Sequence, residues 1–111
     1  MDCTISHKNG VVVISPDGEL DIYNSHALKQ VVVQEIAMGS RKLLIDMARV
    51  DHMDSTALGV LVSSFKAARL QNARFKLTSL SGPVQRLMHL TRLTKFFEIH
   101  GSADEALASF S

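Results

Sequence analysis

The sequence predicts a single α/β domain, an N-terminal β-hairpin joined to a mostly parallel mixed sheet with helices packed against it. Three observations carry that expectation. Asn9-Gly10 lies between two short runs, Thr4 to His7 and Val11 to Ser15, and favours a type I′ turn because both central residues take positive φ. Leu43-Leu44-Ile45, closed by Asp46, is a brief apolar run of the kind found in strands buried on both faces. From Leu58 the period changes, and Leu58, Leu61, Val62, Phe65 and Ala68 fall at helical spacing with Ser63, Ser64, Lys66 and Arg69 between them.

In chain order, Pro16-Asp17-Gly18 ends the hairpin with turn chemistry. Asn24 or Ser25 is placed to cap a helix whose apolar stripe is Leu28, Val31, Val32 and Ile36, and Gly39 is placed to stop it. Arg41 to Asp46 is the buried strand, and strand, helix, strand in that order implies parallel pairing. After the central helix, Phe75, Leu77 and Ser79 alternate with Arg74, Lys76 and Thr78, which predicts a strand from Arg74 to Leu80 with one polar face. Ser81-Gly82-Pro83 starts a helix bearing Val84, Leu87, Met88 and Thr91. Phe97 to His100 is a short last strand. Ser102 and Glu105 have the spacing of a capping box for a terminal helix from Ala103 to Phe110.

The join before the central helix reads Met53-Asp54-Ser55-Thr56. Asp, Ser and Thr all favour a helix N-terminus, because their side-chain oxygens accept its free backbone N–H groups. Three in a row exceeds what one cap needs, and two readings follow. One is redundant capping. The other is a switch: a phosphate on a first-turn hydroxyl meets free N–H donors and the positive end of the dipole, and brings ~1.5 to 2 negative charges.

Met53 to Gly59, reading MDSTALG, resembles the D-S-[S/T]-G-L-G signature of STAS domains, specifically bacterial anti-sigma factor antagonists. Gly18-Glu19-Leu20-Asp21 is similar to that family's G-E-L/I-D segment. Val84 to Leu87 and Phe96 to Ile99 sit where the family has its later helix and last strand, so the likeness covers nearly the whole chain. There are two departures. Ala57 replaces a usual Gly, which would slightly enlarge the surface a partner approaches, and Arg92 stands where Gly is common before Leu93. The resemblance implies the STAS fold, phosphorylation at Ser55, and partner contacts by Asp21, Asp54, Ser55, Thr56, Ala57 and Gly59. It further implies two partners, an anti-sigma factor with serine kinase activity and a serine phosphatase. The chain would be their substrate and not an enzyme. By local pattern alone Asp21 is a turn residue and Asp54 a helix cap. A STAS scaffold subunit of a transporter or signalling complex, without a phosphorylation cycle, is the alternative.

A length of 111 residues suits one domain with one core, and a net charge of +1 gives no reason to invoke direct nucleic-acid binding or an anionic membrane. The charge is unevenly spread. No Asp or Glu occurs between Ser55 and Phe97, whereas Lys66, Arg69, Arg74, Lys76, Arg86, Arg92 and Lys95 do. This describes either solvated faces or a face that meets an acidic partner. Cys3 is the lone cysteine, the N-terminus is too polar for a signal peptide, and Val11 to Ile14 is far too short to insert into a membrane. A cytoplasmic location is expected. His7, His26, His52, His89 and His100 are scattered without metal-site spacing, so no metal or cofactor is expected. No Walker loop is present, and Ser55 lacks the G-x-S-x-G elbow.

Overall fold

The computed structural model describes residues 2–111. Nine elements follow one another: β1 (Asp2–Lys8), β2 (Val11–Asp17), α1 (Ser25–Ala37), β3 (Lys42–Asp46), α2 (Ser55–Leu70), β4 (Arg74–Thr78), α3 (Gly82–Leu90), β5 (Glu98–His100) and α4 (Ala103–Ala108). The five strands form one sheet in the order β1-β2-β3-β4-β5. β1 and β2 pair antiparallel and every later pair is parallel. The hairpin turn is the one the sequence predicts, with φ of 54° at Asn9 and 78° at Gly10.

The main core fills one face of the sheet. Val12, Ile14, Leu43, Ile45, Phe75 and Leu77 point into it from the strands, and Leu28, Val32, Leu58, Leu61, Val84 and Met88 meet them from α1, α2 and α3. The opposite face is narrower. Val11, Val13 and Leu44 pack there against Ala106 and Phe110, from α4 and the residues just after it. β3 is therefore covered on both sides, as its uninterrupted apolar run requires.

That second layer corrects the expectation of a polar face on β4. Lys76 and Thr78 are 4% and 0% exposed. The Lys76 ammonium lies 4.3 Å above the Phe110 ring and escapes the apolar layer by meeting Glu98 at 2.8 Å and the Ser109 hydroxyl at 2.8 Å. Its aliphatic stem covers apolar surface while its charged end finds partners. β4 also stops at Thr78 instead of Leu80, because Ser79 takes a φ of 62° and leaves the extended region. α4 ends at Ala108, short of the expected Phe110, whose ring is then free to turn into the second core. Only half of the capping box forms. The Ser102 hydroxyl accepts from Glu105 N at 3.2 Å, but the Glu105 carboxylate turns to His100, 3.6 Å away.

Three helices end in the same way. After α1, Gly39 N donates to Ile36 O and Ser40 N to Glu35 O; after α2, Asn72 N donates to Arg69 O and Ala73 N to Ala68 O; after α3, Arg92 N donates to His89 O and Leu93 N to Met88 O. This is the Schellman pairing, which needs a left-handed residue just past the cap. Gly39, Asn72 and Arg92 fill that position with φ of 101°, 58° and 60°. Glycine tolerates it freely and asparagine readily, whereas arginine pays in steric strain. The departure at Arg92 thus has a physical meaning: the backbone there asks for the glycine that is missing.

Two outcomes follow. Arg92→Gly should stabilise the fold by about 0.5–1 kcal/mol, the left-handed penalty less the added chain entropy, read as a higher urea midpoint at unchanged slope. Arg92→Ala should give no such gain. The second concerns acid. The hydrogen bond from Lys76, then that from His100, hold the Glu98 carboxyl below its ordinary 4.5. A depressed carboxyl stabilises the fold above its unfolded value and loses that contribution as pH falls through the folded one. Amide exchange in α4 should therefore accelerate below about pH 4.5, before the β3 amides lose protection.

Candidate functional site

The site is built where two chain segments meet at the carboxyl end of β3. Gly18 to Asp21 runs beside Arg49 to Asp54, tied by Gly18 N to Arg49 O (2.9 Å), Leu20 N to His52 O (3.0 Å) and Asp54 N to Leu20 O (3.1 Å). Leu20 and Met53 form a parallel bridge there. Leu20 is 2% exposed, so an apolar anchor pins this strip to the core.

Asp54 joins the two segments through its side chain. One carboxylate oxygen, Oδ1, accepts from Ala57 N at 2.8 Å and caps α2; the other, Oδ2, accepts from Ile22 N at 3.1 Å. The capping reading of Asp54 is correct but incomplete, since the same group also fastens the loop before α1. Asp21 organises that loop. Its Oδ1 accepts from Tyr23 N at 2.9 Å and Asn24 N at 3.2 Å, and its carbonyl accepts from Ser25 N at 3.0 Å. This is the turn role its local pattern predicts, with one carboxylate oxygen aimed at backbone and not outward. Neither expected cap of α1 acts as one. The Asn24 amide is occupied by Asp21 N (2.9 Å) and Glu19 O (2.8 Å), and the Ser25 hydroxyl is buried without a partner among the described residues.

Ser55 is the first residue of α2 and is exposed, as are Thr56 and Gly59. Among the described residues, neither the Ser55 nor the Thr56 hydroxyl has an intrachain hydrogen-bond partner, and Asp54 takes up the Ala57 N–H. The backbone N–H groups of Ser55 and Thr56 precede the first helical bond, Leu58 N to Asp54 O at 3.0 Å, and stay open to an anion. α2 carries no acidic residue in its first turn to compete. Ala57 behaves otherwise than expected. Its methyl is 2% exposed and belongs to the main core, so it does not enlarge an outer surface. Gly59 does face outward, and a Cβ there would meet nothing within 4 Å.

Sequence reasoning missed Ile22 and Tyr23. They are 54% and 93% exposed, and they sit on the loop that Asp54 holds. The signal was present: two large apolar side chains in a turn between Asp21 and Asn24, where turn chemistry alone calls for small polar residues. His52 is a loop histidine, exposed and 4.0 Å from Asp51. No group of three potential metal ligands occurs among the described residues.

The STAS domain profile matches residues 3–106. The anti-sigma-B factor antagonist of Bacillus subtilis is 34% identical over 100 residues, covering 90% of this chain and 91% of that protein. The crystal structure of an anti-sigma factor antagonist from Mycobacterium paratuberculosis superposes with a TM-score of 0.85 at 28% identity, over 97% of this chain and 92% of the other. Phosphorylated SpoIIAA of Bacillus shares the fold, with a TM-score of 0.75 at 18% identity over 99% of this chain and 100% of that one.

Asp54→Ala should lower stability by about 1–2 kcal/mol, because the helix cap and the loop tether are lost together. Its amide shifts should move at Ile22 and Ala57 and leave β4 in place. Asp54→Asn keeps an acceptor oxygen and should recover the Ala57 contact.

Proposed function

Since the chain belongs to the STAS domain family, we propose that it acts as an anti-sigma factor antagonist switched by phosphorylation of Ser55. The observation that carries this reading is the exposed, unpartnered Ser55 hydroxyl on the first turn of α2. Structural serines at a helix start cap it, and here Asp54 already does so. Ser55 is left as a hydroxyl with no structural task; Thr56 is equally exposed, and the family's D-S pattern points to the serine.

The unphosphorylated surface combines Ile22 and Tyr23 with Asp54, Ser55, Thr56 and Gly59. A partner anti-sigma factor would bury the two apolar side chains, Tyr23 above all, as tyrosine concentrates binding energy at interface centres. Asp21 acts indirectly, by holding Tyr23 and Asn24. Ala57 supplies the backbone N–H that fixes Asp54, and its side chain takes no part. Gly59 leaves room for close approach of the partner's backbone.

The partner would also be a serine kinase, transferring the γ-phosphoryl group of ATP to the Ser55 oxygen as its bond to the bridging oxygen breaks and ADP leaves, while the hydroxyl proton goes to a base on the kinase. Phosphoserine then opposes the complex in two ways. It repels the nucleotide phosphates still held by the kinase, and it must be desolvated to be covered again. Release would return the anti-sigma factor to its sigma factor, and a serine phosphatase would reset the chain. Such a cycle belongs in the cytoplasm. No helix among the described residues is long and apolar enough to cross a membrane. A scaffold subunit without a phosphorylation cycle would give the Ser55 hydroxyl no purpose.

Incubation with the cognate kinase and ATP should add one phosphate to the wild-type chain by intact mass and none to Ser55→Ala; equal uptake by the variant would remove Ser55 from the role. Gly59→Ala separates surface from fold. It should raise stability by about 0.5–1 kcal/mol, as alanine suits a helix interior better than glycine, while weakening the complex with the anti-sigma factor.

A further inference from the structure

The phosphoacceptor surface uses one end of α2, and a second feature lies at the other. From Ser55 to Arg69 the helix rises about 21 Å. There a groove of about 420 Å³ is lined by Phe65 and Arg69 of α2, Arg74 of β4, and Lys95, Phe96 and Phe97 from the turn before β5. Its floor is aromatic. The Phe65 ring centre is 4.9 Å from that of Phe96 and 5.7 Å from that of Phe97, and Phe96 remains 37% exposed.

Its rim is cationic and underpaired. Glu98 is the carboxylate beside it, and Glu98 is engaged by Lys76 at 2.8 Å and His100 at 2.7 Å. The Arg74 guanidinium donates to the Phe110 and Ser109 carbonyls at 2.9 and 3.0 Å, which are neutral acceptors, so its charge is not cancelled. Arg69 and Lys95 are exposed and form no ion pair among the described residues. Cations gathered around an exposed phenylalanine, with no free acid beside them, leave a surface that an anionic and partly apolar group would complete.

We propose that this groove docks an acidic segment of a protein partner, its carboxylates on Arg69 and Lys95 and an apolar side chain against Phe96. Charge complementarity sets the sign of the occupant, and the concave aromatic floor calls for a side chain and not a lipid plane. The rest of the molecule does not favour a long polyanion. The chain as a whole carries a net charge of only +1, so it offers little long-range attraction to a nucleic acid extending beyond the groove. The groove is independent of Ser55, and both ends of α2 can be occupied together.

The test is a titration of the full chain followed by amide chemical shifts. The probe is a short synthetic peptide of Asp and Glu around a central Phe-Leu pair. Its controls are the same peptide with Asn and Gln for the acids, an oligothymidylate of equal length, and phosphatidylglycerol vesicles. The acidic peptide should move the amides of Phe65, Arg69, Phe75 and Lys95 to Phe97. Arg69→Glu combined with Lys95→Glu should weaken it by at least about tenfold, while Arg86→Glu combined with Arg92→Glu, the same charge change elsewhere, should alter affinity by no more than about twofold. Ser55→Asp should bind the peptide as wild type does, whatever becomes of the phosphorylation cycle. If the doubly reversed protein loses its far-UV circular dichroism, Arg69→Gln with Lys95→Gln replaces it with the same loss expected. No shift with the acidic peptide, equal binding of the neutral one, an equal loss in both charge variants, or tighter binding of the oligothymidylate or vesicles would each overturn the proposal.

Discussion

The Asp54 carboxylate is the contact on which the functional end of the molecule depends. With one oxygen it starts α2, and with the other it holds the loop that presents Ile22 and Tyr23. Both bonds go to backbone N–H groups, which an ionised carboxylate accepts more strongly than a neutral oxygen would. Because Asp54 does the capping, Ser55 is relieved of it. One residue thus sets the position of the Ser55 hydroxyl, the openness of the helix start and the placement of the apolar side chains beside it.

This end can be altered without cost to the core because the two are separated within α2. Leu58 and Leu61 point into the sheet, while Ser55, Thr56 and Gly59 look out. A negative group over a helix start interacts favourably with the dipole by roughly 0.3–1 kcal/mol, small beside a typical domain stability of ~5–15 kcal/mol. On the proposed reading, phosphorylation of Ser55 changes what a partner meets and leaves the fold as it is. The same separation along the helix axis sets the Phe65, Arg69 and Phe96 groove apart as an independent surface.

Much of the fold was legible because local chemistry and global pattern agree. Asn9-Gly10 has the hairpin turn its residues favour, Leu43 to Ile45 is buried on both faces, and the Leu58 to Ala68 stripe faces the core. Two of the failures share one cause, which is that period alone does not say what covers a face. Lys76 and Thr78 read as a solvent-facing edge of β4, yet both are buried: Phe110, just past α4, lies under the Lys76 ammonium, and the Thr78 hydroxyl donates to the His100 carbonyl. Ala57 read as part of an outer motif because the motif is contiguous in sequence, while the helix turns that residue inward. At the site, Asp54 and Ser55 stood out by residue type. Tyr23 was visible only as a large apolar residue in an otherwise polar turn; that Asp54 fastens its loop, through Ile22 N across the gap between segments, shows in three dimensions alone.

The most direct measurement is a comparison of amide chemical shifts for the protein before and after stoichiometric phosphorylation of Ser55. Shifts confined to Asp21 through Asn24 and Asp54 through Gly59, with the β2, β3 and β4 amides in place, are the result expected of a surface-charge switch on an unchanged fold. Shifts spread through the sheet would show that phosphorylation works by moving the core, and would contradict it.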